Sequence, residues 1–396
     1  MRNYDILILG NGFDLACGYK TAYDDFYNFL KLATNTDTTI FLSNFNTLFP
    51  QINIDNAQEL LVKFKNLIDN DYKENIFIQY FLNYNTYLNS WVAFEKELLC
   101  IAKGFDAFFE ALKNYDKAGP LCNDFNWKVK NNSEALRVFS FIKSCKFYTI
   151  DESLEDGSAT FFEFTIKELS GLNAIQWQVA TEKYIDEFID YIYNDLNAFS
   201  DLFAIYLHIV TLQNLNDIEF NFKADKIVNF NYTNTYNKKL SAQKETEICY
   251  LNGSIEAKMD NIVFGFNSDE NFKNSGLDTL SKSSQRIDKK TDFIKLKKYL
   301  PDEKDTWYEV KIGVYGHSLD KADKDTLNMI FTTYKNVAID VYYLNNKSKK
   351  SLIGNLKNIL TQSKFNALSA NNQINFISCS AQEEYDDVSD EDDLFN

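Results

Sequence analysis

Arginine is nearly absent: the 396 residues hold only Arg2, Arg137 and Arg286. Bidentate clamps on phosphate or carboxylate are therefore scarce, and an anion site must rely on backbone N–H groups, lysine and helix ends. Histidine is scarcer still, with His208 and His317 alone. The six cysteines contain no C-x-x-C pair, so Cys17, Cys100, Cys122, Cys145, Cys249 and Cys379 read as reduced thiols, with neither a zinc site nor a disulfide framework. No apolar run approaches the roughly 18 residues of a membrane span. The chain also enters Tyr4-Asp5 without a basic segment and an apolar core behind it, which predicts a cytoplasmic protein with no membrane partner. A paired-carboxylate metal motif is missing as well, so no metal is expected.

Acidic residues, by contrast, are in excess. Formal net charge is −16. Residues 381–396 supply half of it through Glu383, Glu384, Asp386, Asp387, Asp390, Glu391, Asp392 and Asp393, with no Lys or Arg. This segment is expected to be a solvated, disordered tail, with a shield or mimic for a polyanion site as the functional alternative. The same balance makes nucleic acid an unfavourable partner for the body of the chain.

The opening stretch has the most definite pattern. Tyr4-Asp5-Ile6-Leu7-Ile8-Leu9 is an apolar run without alternation, which fits a strand buried on both faces of a parallel sheet. A turn follows, Gly10-Asn11-Gly12-Phe13-Asp14, and then a helical spacing of Tyr23, Phe26, Phe29 and Leu30. Strand, glycine turn and helix form the opening unit of a nucleotide-binding α/β fold. Without a Cβ at Gly10 or Gly12, a pyrophosphate can approach the backbone and the helix end. The dinucleotide fingerprint G-x-G-x-x-G is only partly met, because Leu15 occupies the third glycine position. A tight turn without a ligand is the plain alternative.

From about Thr21 to about Phe222 the pattern is helical, with stripes at Leu60, Leu61, Phe64, Leu67 and Ile68, at Trp91, Phe94, Leu98 and Ile101, and at Tyr184, Phe188, Tyr191, Ile192 and Leu196. Its many aromatics are expected to be packing. Residues 118–150 are less periodic, and 151–158 read as an exposed loop. Short apolar runs then recur at 226–230, 248–251, 262–264, 310–315, 337–343 and 374–378, with helical patterns between some of them, Asp323 being the expected cap of one. Residues 267–306 read as a mobile excursion. The expected architecture is α/β, a Rossmann-like, mostly parallel sheet with a large helical insertion after the first strand. Its core is 1–30 and 223–380, and the insertion or cap is 31–222.

Ligands of open α/β sheets sit outside the carboxyl ends of the strands. At those ends the sequence places Gly10, Asn11, Gly12, Phe13 and Asp14, then Asn229, Asn231 and Thr233, then Asn252 and Gly253, then Gly265 to Asn267, and finally Gly316, His317 and Ser318. Small polar residues favour turns in any case, but the recurrence at one rim points to a nucleotide site. His208, inside an apolar helical run, is expected to be core, whereas His317 directly follows a strand.

In order, Gly10-Asn11-Gly12-Phe13-Asp14-Leu15, Thr21 to Phe26, Trp91-Val92-Ala93-Phe94-Glu95, Asn229 to Tyr236 and Tyr315-Gly316-His317-Ser318-Leu319 resemble the signatures of the bacterial AbiH-type abortive-infection proteins. More remotely the set resembles the sirtuin-like fold of antiphage NAD-consuming effectors. That resemblance implies a fold binding NAD or a related nucleotide as ligand or substrate, no further cofactor, and a role in phage defence. Where such proteins place His-Gly, this chain has Asn252-Gly253, and an amide cannot serve as a general base near neutral pH.

The leading expectation is hydrolysis of the nicotinamide–ribose bond of NAD. In it Asn231, His317, Asp14 and Glu95 act at the reacting centre, and Gly10, Asn11, Gly12, Phe13, Asn229, Thr233, Asn252, Gly253, Gly316 and Ser318 hold the nucleotide. For Asp14 the plain alternative is a helix cap, and for Glu95 a solvated face. A nucleotide-binding sensor without catalysis is the alternative function, and a nucleic-acid-cleaving toxin is disfavoured by the charge. Deacetylation is disfavoured by the missing zinc-ribbon cysteines. A phage-derived trigger and an oligomer of open composition complete the partners considered.

Overall fold

The computed structural model describes residues 2–72, 75–83, 90–113, 174–240, 246–256, 261–267, 271–301 and 308–379. The less periodic stretch 118–150, the loop 151–158 and the acidic tail lie outside them. In chain order, β1 (Arg2–Leu9) and α1 (Asn11–Ala16) precede α2 (Tyr23–Asn35), α3 (Thr38–Leu48), α4 (Ile54–Asn66), α5 (Ile76–Asn83), α6 (Trp91–Lys113) and α7 (Ala174–Val210). Then come β2 (Phe222–Asn229), α8 (Thr235–Leu240), β3 (Ile248–Tyr250), α9 (Lys282–Asp288) and α10 (Leu296–Tyr299). The chain continues with β4 (Val310–Tyr315), α11 (Lys324–Thr332), β5 (Val337–Tyr343), α12 (Asn346–Ile359), α13 (Gln362–Ala370) and β6 (Ile374–Ser378). Among the described residues, no helix is long and apolar enough to cross a membrane.

Two compact units divide the chain. The sheet unit holds residues 1–19, 215–252 and 292–396; the helical unit holds 20–214 and 253–291.

In the sheet unit all six strands are parallel, in the order β3-β2-β1-β4-β5-β6. β1 is central, and Ile6, Leu7, Ile8 and Leu9 are each at most 1% exposed, as expected of a strand covered on both faces. Burying such side chains contributes roughly 1.5–3 kcal/mol each. Their alternation divides the core: Ile6 and Ile8 join Val228, Ile312, Ile339 and Leu327, while Leu7 and Leu9 join Phe13, Phe220 and Ile227. Register fixes where the loops emerge. Leu9 pairs with Asn229 on one side and Tyr315 on the other, and Asn229 pairs with Tyr250. These four strands therefore end level, and the loops that follow them leave from one edge.

The helical unit has an aromatic core. Tyr206 is fully buried, its ring 5.1 Å from those of both Phe26 and Phe29, and its hydroxyl donates to Lys20 O at 2.6 Å. The expected stripes do bury Leu61, Phe64, Phe94, Leu98, Phe188, Ile192 and Leu196. The aromatics are packing, with rings in edge and tilted contacts.

Several local expectations fail, each for a visible reason. Residues 262–264 make no strand. Phe264 N bonds to Gln285 Oε1 at 3.3 Å, and Gln285 Nε2 donates to Phe264 O, so one buried amide side chain supplies what a neighbouring strand would have given. Phe264 stacks on Trp91 at 5.6 Å in the helical unit. Residues 271–301 are short helices carrying fully buried Ser281 and Gln285 instead of a solvated excursion. His208 is only half-buried. Asp323 stands at the start of α11 without capping it.

Candidate functional site

Four strand-end loops of the sheet unit bond to one another. Asn229 Oδ1 accepts from Asn231 N at 3.0 Å and its Nδ2 donates to Thr233 O, which folds the β2 loop into a tight turn. From that turn Asn231 Nδ2 donates to Gly10 O at 2.9 Å, and Thr233 Oγ1 donates to Asp14 Oδ2 at 2.5 Å. Asn252, after β3, donates to Phe230 O at 3.1 Å. The Phe230 ring lies edge-on to His317, 4.3 Å between centroids.

The glycines of the first loop are needed for a contact between loops. A Cβ on Gly10 would come within 2.5 Å of His317 Cα, and one on Gly12 within 2.7 Å of Gly316 Cα. Gly316, at φ +68°, would place a Cβ 2.3 Å from Phe13 N. Gly10 N donates to Tyr315 O at 3.0 Å, Gly12 N to Gly316 O at 2.9 Å and Phe13 N to Gly10 O at 2.9 Å. Three amides expected to face a phosphate are thus satisfied by the protein, while Asn11 is half-buried and Ser318 exposed at the rim. Phe13 itself is core, in tilted contact with the rings of Phe220 and Tyr236 and edge-on to Tyr315.

Asp14 is the chemically distinctive group. It is 2% exposed, and its Oδ1 has no hydrogen-bond partner among the described residues. Burial raises its carboxyl to about 6; hydrogen bonds from Thr233, Thr235 and Asn231 and the charge of Lys238 oppose the rise. Thr235, bonded to Thr233 Oγ1 at 2.8 Å, belongs to this network although the sequence reading passed over it.

His317 is held by an unusual turn. Leu319 adopts φ +54°, a left-handed conformation that costs a branched residue about 1–2 kcal/mol. Its side chain is nevertheless anchored in the core, 1% exposed. That conformation turns Leu319 N onto His317 Nδ1 at 3.0 Å. The neutral ring therefore carries its hydrogen on Nε2, which faces Asp323 Oδ2 at 3.7 Å. Asn355 Nδ2, from α12, donates to Ser318 O at 2.9 Å and braces the same loop. Nothing in the pattern of α12 marks Asn355. Asp323 was visible as a cap and as a polar residue following the same strand, but not as the partner of His317.

Two expected site residues belong to the helical unit. Glu95 pairs with Lys282 Nζ at 2.8 Å, with side chains only 16% and 4% exposed. Gly253 makes a turn at φ +87°, where a Cβ would fall 1.8 Å from Asn261 O. The sheet unit therefore gathers Asp14, Asn229, Asn231, Thr233, Asn252 and Gly316 through hydrogen bonds between their loops, with His317 joined by its ring contact to Phe230: a buried carboxyl and an oriented imidazole among amides and hydroxyls.

A family model described as bacteriophage abortive infection AbiH matches residues 6–344, which include every residue of the cluster. No curated protein and no solved structure matches the chain.

Proposed function

Since the chain belongs to the bacteriophage abortive infection AbiH family and so has a role in phage abortive infection, we propose that the cluster at the strand ends binds a ribose-phosphate compound and hydrolyses the nicotinamide–ribose bond of NAD. The observation that carries this reading is Asp14: a walled-in carboxyl with one oxygen held by Thr233, the other without a partner among the described residues, and its pKa pushed up to about 6 by burial. Such a group changes protonation state near the working pH, which acid–base chemistry requires. The order of the six parallel strands supports the reading of a doubly wound, Rossmann-like sheet, and in such sheets ligands bind where the order reverses, which would be between the ends of β1 and β4.

In this reading the C–N bond to nicotinamide breaks through an oxocarbenium-like state, and water adds to the ribose carbon. The carboxylate of Asp14 stabilises the positive charge and takes the water's proton. Asn231 positions ribose and water, and the Nε2–H of His317 donates to the substrate. Because Gly10 and Gly12 spend their N–H groups on the β4 loop, the rim residues Asn11 and Ser318 take over the phosphates.

One observation favours the alternative of a sensor that binds without turnover. Asn252 stands where an imidazole is expected, and its amide is tied to Phe230 O. Purified protein incubated with NAD and a phage lysate distinguishes the two. Release of nicotinamide, lost in Asp14→Asn, supports hydrolysis; tight retention of unchanged nucleotide supports the sensor. NAD recovered intact with no binding overturns both.

A further inference from the structure

The helical unit contains a half-open cleft of about 720 Å³ lined by α2, the residues that lead into α3, the end of α4 and α5. That is the size range of small-molecule sites. Its wall includes the turn Leu67–Asp71, where α4 widens into a π-helix, a feature that recurs at functional sites.

The lining has an excess of donors. Lys65 is 2% exposed, and its ammonium, with three N–H groups, has one partner among the described residues, Asp69. Asp69 is itself 44% exposed, so the pair is open on one side. Asp37, the other acid on the wall, is occupied in capping α3 through Ile40 N at 2.9 Å. Among the described residues Lys31 reaches over the Tyr27 ring at 5.7 Å without an acidic partner. Both carboxylates of the described wall are thus committed, whereas Lys31 and two donors of Lys65 are not. A buried ammonium left short of acceptors is costly, and an anion removes that cost. The remaining wall suits a flat ring, with the aromatic side chains of Tyr27 and Tyr72 and the buried aliphatic side chains of Ile68 and Ile78.

We propose that this cavity is a second ligand site, taking a small ring-bearing phosphate or carboxylate whose anion binds Lys65 and Lys31 and whose ring packs between Tyr27 and Tyr72. The anion competes with Asp69 for Lys65. Because Lys65 closes α4 and Asp69 lies in the π turn, binding acts on the hydrogen bonds of that turn.

The test uses the full chain and adenosine monophosphate as probe, with adenosine and inorganic phosphate as separate arms, read by calorimetry and by amide hydrogen exchange. The expected result is saturable binding of the monophosphate, at least roughly tenfold tighter than either part, with slowed or quickened exchange over residues 65–72. Lys31→Glu, on an exposed residue that folding does not need, should weaken binding by a further tenfold or more and abolish the exchange change; Asp69→Asn, which frees Lys65, should tighten it. Binding that leaves exchange over 65–72 unaltered, or that survives Lys31→Glu unchanged, overturns the proposal. Since Asp14→Asn disables the strand-end cluster without touching this unit, persistence of the signal in that variant separates this site from the proposed hydrolytic one.

Discussion

The strand-end cluster of the sheet unit surrounds its buried acid with neutral groups, while two buried lysines of the helical unit have carboxylate partners. Asp14 is met by the hydroxyl of Thr233, whereas Glu95 is met by the ammonium of Lys282 and Lys65 by Asp69. Hydroxyls and amides stabilise a carboxylate less than a cation does, so burial wins at Asp14 and its proton is held to about 6. A matched pair such as Glu95 and Lys282 has no such latitude, and removing one member strands the other in a low dielectric. One arrangement leaves a group ready to exchange a proton; the other fixes the packing of two segments of the helical unit.

The largest effect that would sharpen this contrast is expected from Lys282→Met, which takes the ammonium away from the largely buried Glu95 carboxylate and should cost roughly 3–5 kcal/mol in chemical denaturation. The double variant Lys282→Met with Glu95→Leu should recover most of that loss, and a failure to recover would mean that the pair is more than a packing device. Gly316→Ala comes next. With φ +68° and a Cβ 2.3 Å from Phe13 N, it should destabilise by about 2–4 kcal/mol and disturb the Asp14 cluster, seen as a lowered Tm and weakened nucleotide binding.

Asp14→Asn should act in the opposite direction on stability. A carboxyl raised from 3.8 to about 6 favours the folded state at low pH, and that contribution is lost as pH rises through the folded value. The wild-type chain should therefore lose about 3 kcal/mol in all from this group as pH rises from about 3 to about 8, about 2 kcal/mol of it between pH 4 and pH 6, and Asp14→Asn should flatten that slope and be more stable at pH 7 while losing activity. An unchanged slope would remove Asp14 from its assigned role. The smallest effect is expected at the brace of the His317 loop. Asn355→Ala should cost about 0.5–1.5 kcal/mol and show as faster exchange at Ser318 and Leu319.

Much of the sheet was legible because strands declare themselves locally. Ile6 to Leu9 needed no partner to be recognised as a strand covered on both faces, and the α/β alternation after residue 222 gave a parallel sheet. The run at 262–264 looked the same as the strands on either side of it, yet Gln285, a residue with no strand signal, satisfies the backbone of Phe264. Asp323 carried every mark of a helix cap, and its carboxylate faces His317 Nε2 instead. At Glu95 the sequence suggested an acid, and nothing in the lysine-rich stretch around 282 announced its counter-ion.

The glycine turn shows the same limit. Its residues could be read as absent side chains, and hence as room for something to approach. Only the tertiary structure decided that what approaches Gly10 and Gly12 is the β4 loop.

By itself, then, the sequence determined the elements and the apolar stripes, because those depend on spacings of two to four residues along one strand or helix. Which polar groups meet, and with what acidity, was decided by folding: Thr233 reaches Asp14 across 219 residues and Asn231 reaches Gly10 across 221. A carboxyl's proton affinity is set by its surroundings, and these surroundings exist only once distant strands end side by side.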